Sequence, residues 1–203
     1  MMSKVILILV SYLIGSIPTG LILSRAFAKV DVRNYGSRNI GATNVYRSAG
    51  KKLGILTLLG DIIKGFLPVY FVYLITGSEN WTALSAVVAF LGHLYPIYLK
   101  FSGGKGVATG FGVFLFLAPK LIIFCLGVFA VVLIFSRYVS LSSMSAALTL
   151  PLLMIFLPNS YPPIYKATAL FLAIMIIFRH QENIKRIINR QESKIGAKKV
   201  KAV

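Results

Sequence analysis

The chain has 203 residues, 57% of them hydrophobic, and a formal charge of +17 from 22 Lys and Arg against five Asp and Glu. A charged fraction of 13% is about half that of a soluble domain, which excludes an ordinary water-soluble fold. Successive apolar stretches of about twenty residues, without period-two alternation, predict an all-α polytopic membrane protein, a single integral domain over 1–203.

In chain order, the first predicted span covers 4–28. Lys4 precedes it, but the run "VILILVSYLIGSIPTGLILS" offers no clear small-residue cleavage site, so it reads as a retained helix rather than a signal peptide. A polar segment over 29–53 follows, then spans at 54–77, 81–100, 105–118, 120–136, 138–157 and 163–180, giving about seven transmembrane helices. Only "APK" divides the fourth from the fifth; were they one bent helix, everything after them would reverse orientation. Cys125 lies in "LIIFCLGVF" as a buried, inert thiol. Asp61 and Lys64 share a face of the second span and read equally well as a functional pair or as a mutually neutralising pair within the bundle.

Basic residues set the orientation. One side holds Lys29, Arg33, Arg38, Arg47, Lys51, Lys52, Lys100, Lys105, Arg137 and eight basic residues from Arg179 onward; the other holds Lys4, Lys120 and Lys166. The positive-inside rule places the rich side in the cytoplasm, with the N-terminus outside and the C-terminus inside. The charge is thus a topology signal, and nucleic acid is not an expected partner. The basic tail from about 181 lies against anionic membrane lipids.

Three polar segments then share the cytoplasmic face: "NYGSRNIGATNVYRSAG", "GHLYPIYLKFSGGKGVATG" and "RHQENIKRIINRQE". Their donors point to an anion. Gly103, Gly104 and Gly106 flank Lys105 at a predicted helix start, where backbone N–H groups and one full charge suit a phosphate. Ser37, Arg38, Asn39 and Arg47 suit a second anionic group. Gly110 and Gly112 fit the spacing of helix packing, and Arg25, Arg33 and Arg137 are read as topology residues. For His93, beside Leu94-Tyr95-Pro96, a structural hydrogen bond is as good a reading as a catalytic role.

Absences narrow the chemistry. Five carboxylates are too few for an acidic cluster around divalent cations, and no Cys/His spacing suits zinc. Tyr98 and Lys185 stand where a His-x4-Asp acyltransferase motif needs aspartate. A Walker loop fails at Leu99 and at Gly106. A metal-free, donor-rich site remains, suited to an electrophile that arrives already activated.

The segments "GSRNIGATNVYR", "GHLYPIYLKFSGGKGVATG" and "RHQENIKRI", with "GSIPTG" and "GDIIKG", resemble the motifs of bacterial acyl-phosphate:glycerol-3-phosphate acyltransferases. Ile40, Ser102 and Arg190 depart from the usual proline, lysine and glycine, and the last leaves the role of Glu192 open. The resemblance implies a multi-pass enzyme of the bacterial inner membrane with a cytoplasmic active site. It would move a fatty acyl group from acyl phosphate to glycerol-3-phosphate, giving lysophosphatidic acid and inorganic phosphate, the first committed step of phospholipid synthesis. No cofactor and no obligatory protein partner are expected.

Residue types and resemblance together assign Ser37, Arg38, Arg47, Lys105, His180 and Asn183 to glycerol-3-phosphate, and Asn39, Thr43, Gly103, Gly104 and Gly106 to acyl phosphate. Lys105, His180, Ser37 and Asn183 are the expected catalytic group. The proton acceptor is either His180 or an oxygen of the acyl phosphate itself. A rival reading is a transporter or flippase for an anionic solute or lipid, which should carry its polar site near mid-bilayer, often with inverted repeats. A second rival is a non-catalytic membrane subunit, which leaves the anion-binding donors in all three segments unexplained.

Overall fold

A computed structural model describes residues 2–157 and 160–196. The lysines of the tail at 198, 199 and 201 lie outside the described residues. The architecture is all-helical: α1 Met2–Ser16, α2 Thr19–Ala28, α3 Ala42–Ala49, α4 Lys51–Thr76, α5 Glu79–Leu94, α6 Val107–Leu117, α7 Pro119–Ser136, α8 Val139–Phe156, α9 Pro163–Arg179 and α10 Gln181–Ile188.

Four of these, α4, α5 with its following turn, α7 and α8, are long and apolar enough to cross a membrane; the count is six if the bent pairs α1–α2 and α9–α10 are each one span. The predicted first span is broken. Pro18 has no N–H to continue the ladder, and α2 leaves α1 at 41°. The segment read as polar between the first two spans contains a helix of its own, α3, and α4 starts at Lys51, not 54. The third predicted span ends early, at Leu94, because Pro96 cannot extend the helix. Leu117 and Pro119 belong to separate helices, joined at Ala118 in a non-helical conformation (φ −150°, ψ 59°), so the helix is interrupted between the fourth and fifth predicted spans. At 11 residues, α6 rises only ~16 Å.

Small residues bring the helices close. On α4 the buried positions Thr57, Asp61, Lys64, Gly65, Pro68, Val69 and Val72 form one stripe. A Cβ on Gly65 would stand 2.2 Å from the Thr109 carbonyl oxygen, and one on Gly112 2.0 Å from that of Ile62, so α4 and α6 touch backbone to backbone. The core around Phe90, Leu94, Val113, Met154 and Leu172 is sealed between α5, α6, α8 and α9. The outer faces carry lipid-suited side chains such as Phe124, Ile134 and Phe135.

Candidate active site

The ends of α3, α5, α9 and α10 and the starts of α6 and α8 bring charged and polar groups together. Lys105, in the loop before α6, donates from Nζ to Asn183 Oδ1 on α10. Behind it, Asn183 Nδ2 donates to Glu192 Oε1 at 2.6 Å. Ser140 Oγ on α8 donates to the same oxygen at 2.7 Å, and Arg186 Nε to Glu192 Oε2 at 2.8 Å. Arg47, at the end of α3, reaches the Ser193 carbonyl at 3.2 Å. The return of the chain is closed by Ile195 N–H on the Arg137 carbonyl at 2.8 Å.

Burial shapes the electrostatics. Desolvation pushes the Lys105 ammonium down to about 8; Glu192 opposes the shift, while Arg186, Arg179 and Arg47 add to it. Burial alone would raise the Glu192 carboxyl, but the bonds from Ser140, Arg186 and Asn183 outweigh it and hold the group below the ordinary carboxylate range. His180, 3% exposed, sits just past the end of α9. Burial first, then the Lys105 ammonium, brings its imidazole down to about 4, so it is neutral near pH 7. Its Nδ1 lies 2.7 Å from the Ile176 carbonyl oxygen. That oxygen can only accept, so Nδ1 carries the hydrogen and Nε2 keeps its lone pair.

Arg47, Lys105, His180 and Asn183, predicted from separate segments, therefore meet at one end of the bundle. Ser37, Arg38 and Thr43 are exposed on the loop before α3 and its first turn, and among the described residues their side chains find no hydrogen-bond or ion-pair partner. The loop is organised by a residue the sequence did not single out. Asn44, 2% exposed, donates to the carbonyls of Val32, Tyr35 and Asn39 and accepts from Ser37 N–H at 3.0 Å. Asn39 Oδ1 in turn accepts from Gly41 N–H at 2.8 Å.

The glycine loop differs from expectation in one respect. Gly103 N–H donates to the Leu94 carbonyl and Gly104 N–H to that of His93, at 3.1 and 3.0 Å. Those two N–H groups do not face an anion. The donors that remain for one are the Lys105 ammonium, which also reaches Asn183, and the first turn of α6, whose N–H groups have no intrahelical acceptor. Gly106, at φ +84° and packed on Phe90, starts that helix in a conformation that favours glycine. Two further contributors are Ser140, one serine among several on α8 with no distinguishing signal in the sequence, and Arg179, a donor of the third polar segment. The latter grips the carbonyls of Gly104 and Gly103 from Nε and Nη2 at 3.1 and 2.9 Å. Among the described residues, no three His, Cys, Asp or Glu side chains gather to hold a metal ion.

Residues 5–190 match the family model for glycerol-3-phosphate acyltransferase. The chain belongs to the glycerol-3-phosphate acyltransferase family. Relatives of that name include one from Syntrophotalea carbinolica, 48% identical over 97% of this chain and the whole of the relative. Another, from Endomicrobium trichonymphae, is 46% identical over 96% of this chain and 97% of its own. Among solved structures, the crystal structure of PlsY (YgiH), an integral membrane glycerol 3-phosphate acyltransferase in its glycerol 3-phosphate form, superposes with a TM-score of 0.90 at 36% identity, covering 96% of both chains. The lysophosphatidic acid form of that protein gives 0.87 at 35% identity, again over 96% of both.

Proposed function

We propose that the protein transfers a fatty acyl group from acyl phosphate to glycerol-3-phosphate, producing lysophosphatidic acid and inorganic phosphate at the inner face of a bacterial membrane. One observation carries this reading. Lys105, Asn183, Arg47 and a neutral His180, from segments far apart in sequence, gather at one end of the bundle, in a chain whose relatives are named glycerol-3-phosphate acyltransferase.

The phosphate of glycerol-3-phosphate is held by Arg47, Lys105, Asn183 and, from the loop ordered by Asn44, Ser37 and Arg38. His180 Nε2 accepts a hydrogen bond from the attacking hydroxyl and orients it. The acyl phosphate sets its phosphate at the α6 N-terminus just past Gly106, with Asn39 and Thr43 beside it and its tail in the bilayer. The hydroxyl oxygen bonds to the acyl carbon, the C–O bond to phosphate breaks, and as it does the hydroxyl proton swings from its bond with Nε2 to an oxygen of the departing phosphate. An imidazole near 4 is a weak base, which favours the substrate oxygen as the acceptor.

Topology follows the same logic. Lys105 and Arg137 both belong to the end of the molecule where the polar groups meet, Arg137 through its backbone bond with Ile195. An even number of passages must separate them, so α6 crosses back despite its length if α7 crosses. With α1–α2 and α9 each counted once, seven passages result, the N-terminus outside and the basic end of the chain in the cytoplasm. A single domain over 1–203 needs no obligatory partner for this chemistry. The transporter reading fits less well, because Arg47, Lys105, His180 and Asn183 gather at one end of the bundle instead of midway.

The test is product analysis. Purified protein given a long-chain acyl phosphate and glycerol-3-phosphate, with a chelator present, should release one phosphate per lysophosphatidic acid formed, and acyl-CoA should not replace the donor. Transfer from acyl-CoA but not from acyl phosphate would reverse the donor assignment. Uptake of unaltered glycerol-3-phosphate into vesicles, without product, would restore the transporter.

A further inference from the structure

His93, 4% exposed near the end of α5, lies between Asp61 of α4, which the site above does not use, and the glycine loop that carries Lys105. On one side, its Nδ1 stands 3.8 Å from Asp61 Oδ1. On the other lies Gly104. A Cβ added there would meet His93 Nε2 at 2.0 Å, Cε1 at 2.7 Å and Cδ2 at 3.0 Å, three of the five atoms of the imidazole ring. The His93 carbonyl also accepts from Gly104 N–H at 3.0 Å. Arg179 holds the opposite edge of the loop through the carbonyls of Gly104 and Gly103. The segment carrying Lys105 is therefore bonded along both edges and rests on an imidazole.

That ring is braced in turn. Asp61 and Lys64 are 2% and 5% exposed and form an ion pair at 2.8 Å. Lys64 Nζ also donates at 2.7 Å to the Ile17 carbonyl, at the break between α1 and α2. A buried pair of this kind is weak evidence for stability in itself, since desolvation offsets the attraction. Its placement between the α1–α2 break and His93 suggests another use.

We propose that His93, braced by the Asp61–Lys64 pair, is a positioning residue for Lys105: its imidazole sets the height of the Gly103–Gly104 loop and so the place where the lysine meets the substrate phosphate. This rests on the reading of Lys105 as a ligand of glycerol-3-phosphate. The two glycines then exist for different reasons. Gly104 makes room for a side chain. Gly103 makes room for backbone and proline, since its Cβ would stand 2.2 Å from the His93 oxygen, 2.4 Å from Pro96 Cδ and 2.6 Å from the Leu94 oxygen.

The difference supplies the experiment. Gly104→Ala and Gly103→Ala are each made in the wild-type and His93→Ala backgrounds, with kcat, KM for glycerol-3-phosphate and Tm measured on the full chain. Gly104→Ala should lower kcat/KM about thirtyfold or more, mainly through KM, with Tm nearly unchanged; in the His93→Ala background it should cost less than about threefold. Gly103→Ala should cost the same in both backgrounds. An equal cost of Gly104→Ala with and without the ring would overturn the proposal. If His93→Ala does not fold, Gly104→Ala alone decides: near-wild-type KM and kcat overturn the proposal, and a KM defect at unchanged Tm supports it. Absence of acyl transfer by the wild-type protein would instead be a failure of the functional reading, and is seen before any variant is made.

Discussion

Lys105 donates to Asn183 across 78 residues of chain, and this bond joins the second polar segment to the third. Asn183 in turn binds Glu192, which Ser140 and Arg186 also reach. One carboxylate thus ties α8, α10 and the returning chain together beneath the lysine.

Burial brings Lys105 down from 10.5 to about 8, which sets a pH limit. The charged lysine is the one that binds phosphate, so kcat/KM for glycerol-3-phosphate should fall above about pH 8, approaching tenfold per unit. A profile level through pH 10 would mean that the lysine stays charged in the pocket. For stability the sign is opposite. Between about 8 and 10.5 the unfolded chain holds this proton and the folded chain does not, so the lysine's contribution favours folding increasingly as pH rises through that window.

His180 offers a lone pair at Nε2 because Nδ1 is committed to Ile176. A glutamine oxygen can take that acceptor place. His180→Gln should keep kcat within about tenfold of wild type while KM rises, and His180→Ala should lose about a hundredfold in kcat/KM. Steady-state kinetics on both variants decides the matter. A folded His180→Gln enzyme without turnover would make the imidazole the base.

Asn44 holds three carbonyls and one N–H of the loop that presents Ser37 and Arg38. Asn44→Ala leaves those groups unpaired and should cost about 2–3 kcal/mol of stability, with a raised KM for glycerol-3-phosphate. Thermal unfolding and kinetics check both. An unchanged Tm and KM would show that the loop holds its shape without the amide.

Much of this was legible in the sequence, and the physics says why. Lipid demands long apolar helices, so α4, α7 and α8 announce themselves, and lysine and arginine placement separates the ends. Arg47, Lys105, His180 and Asn183 stand in segments too polar to bury in lipid, where a ligand is the natural explanation. Other features carry no such signal. The first span is apolar on both sides of Pro18, so hydropathy hides the break. The helix α3 is only 8 residues long and largely polar, and reads as loop. Glycine announces a close approach but not its direction, which is why the N–H groups of Gly103 and Gly104 turn inward to α5, away from the expected anion. Glu192 lies on irregular chain, and only folding brings it to Ser140.

The buried pair on α4 has a separate consequence. Asp61→Asn leaves Lys64 buried beside a neutral partner and should cost about 3–5 kcal/mol, whereas an apolar replacement of both residues should cost less than either single change. Unfolding measured in nanodiscs would show this as a higher Tm for the double variant than for Asp61→Asn. The reverse order would mean that the Lys64 bond to Ile17 dominates.

The central claim is that three distant segments build one phosphate pocket. Its most direct measurement is the Kd for glycerol-3-phosphate, by calorimetry, of the wild type and of Arg47→Ala, Lys105→Ala and His180→Ala. Each variant should remain folded and bind at least about thirtyfold more weakly, since each loses a contact to the same ligand. Wild-type affinity in any one of the three would remove its segment from the pocket and contradict the claim.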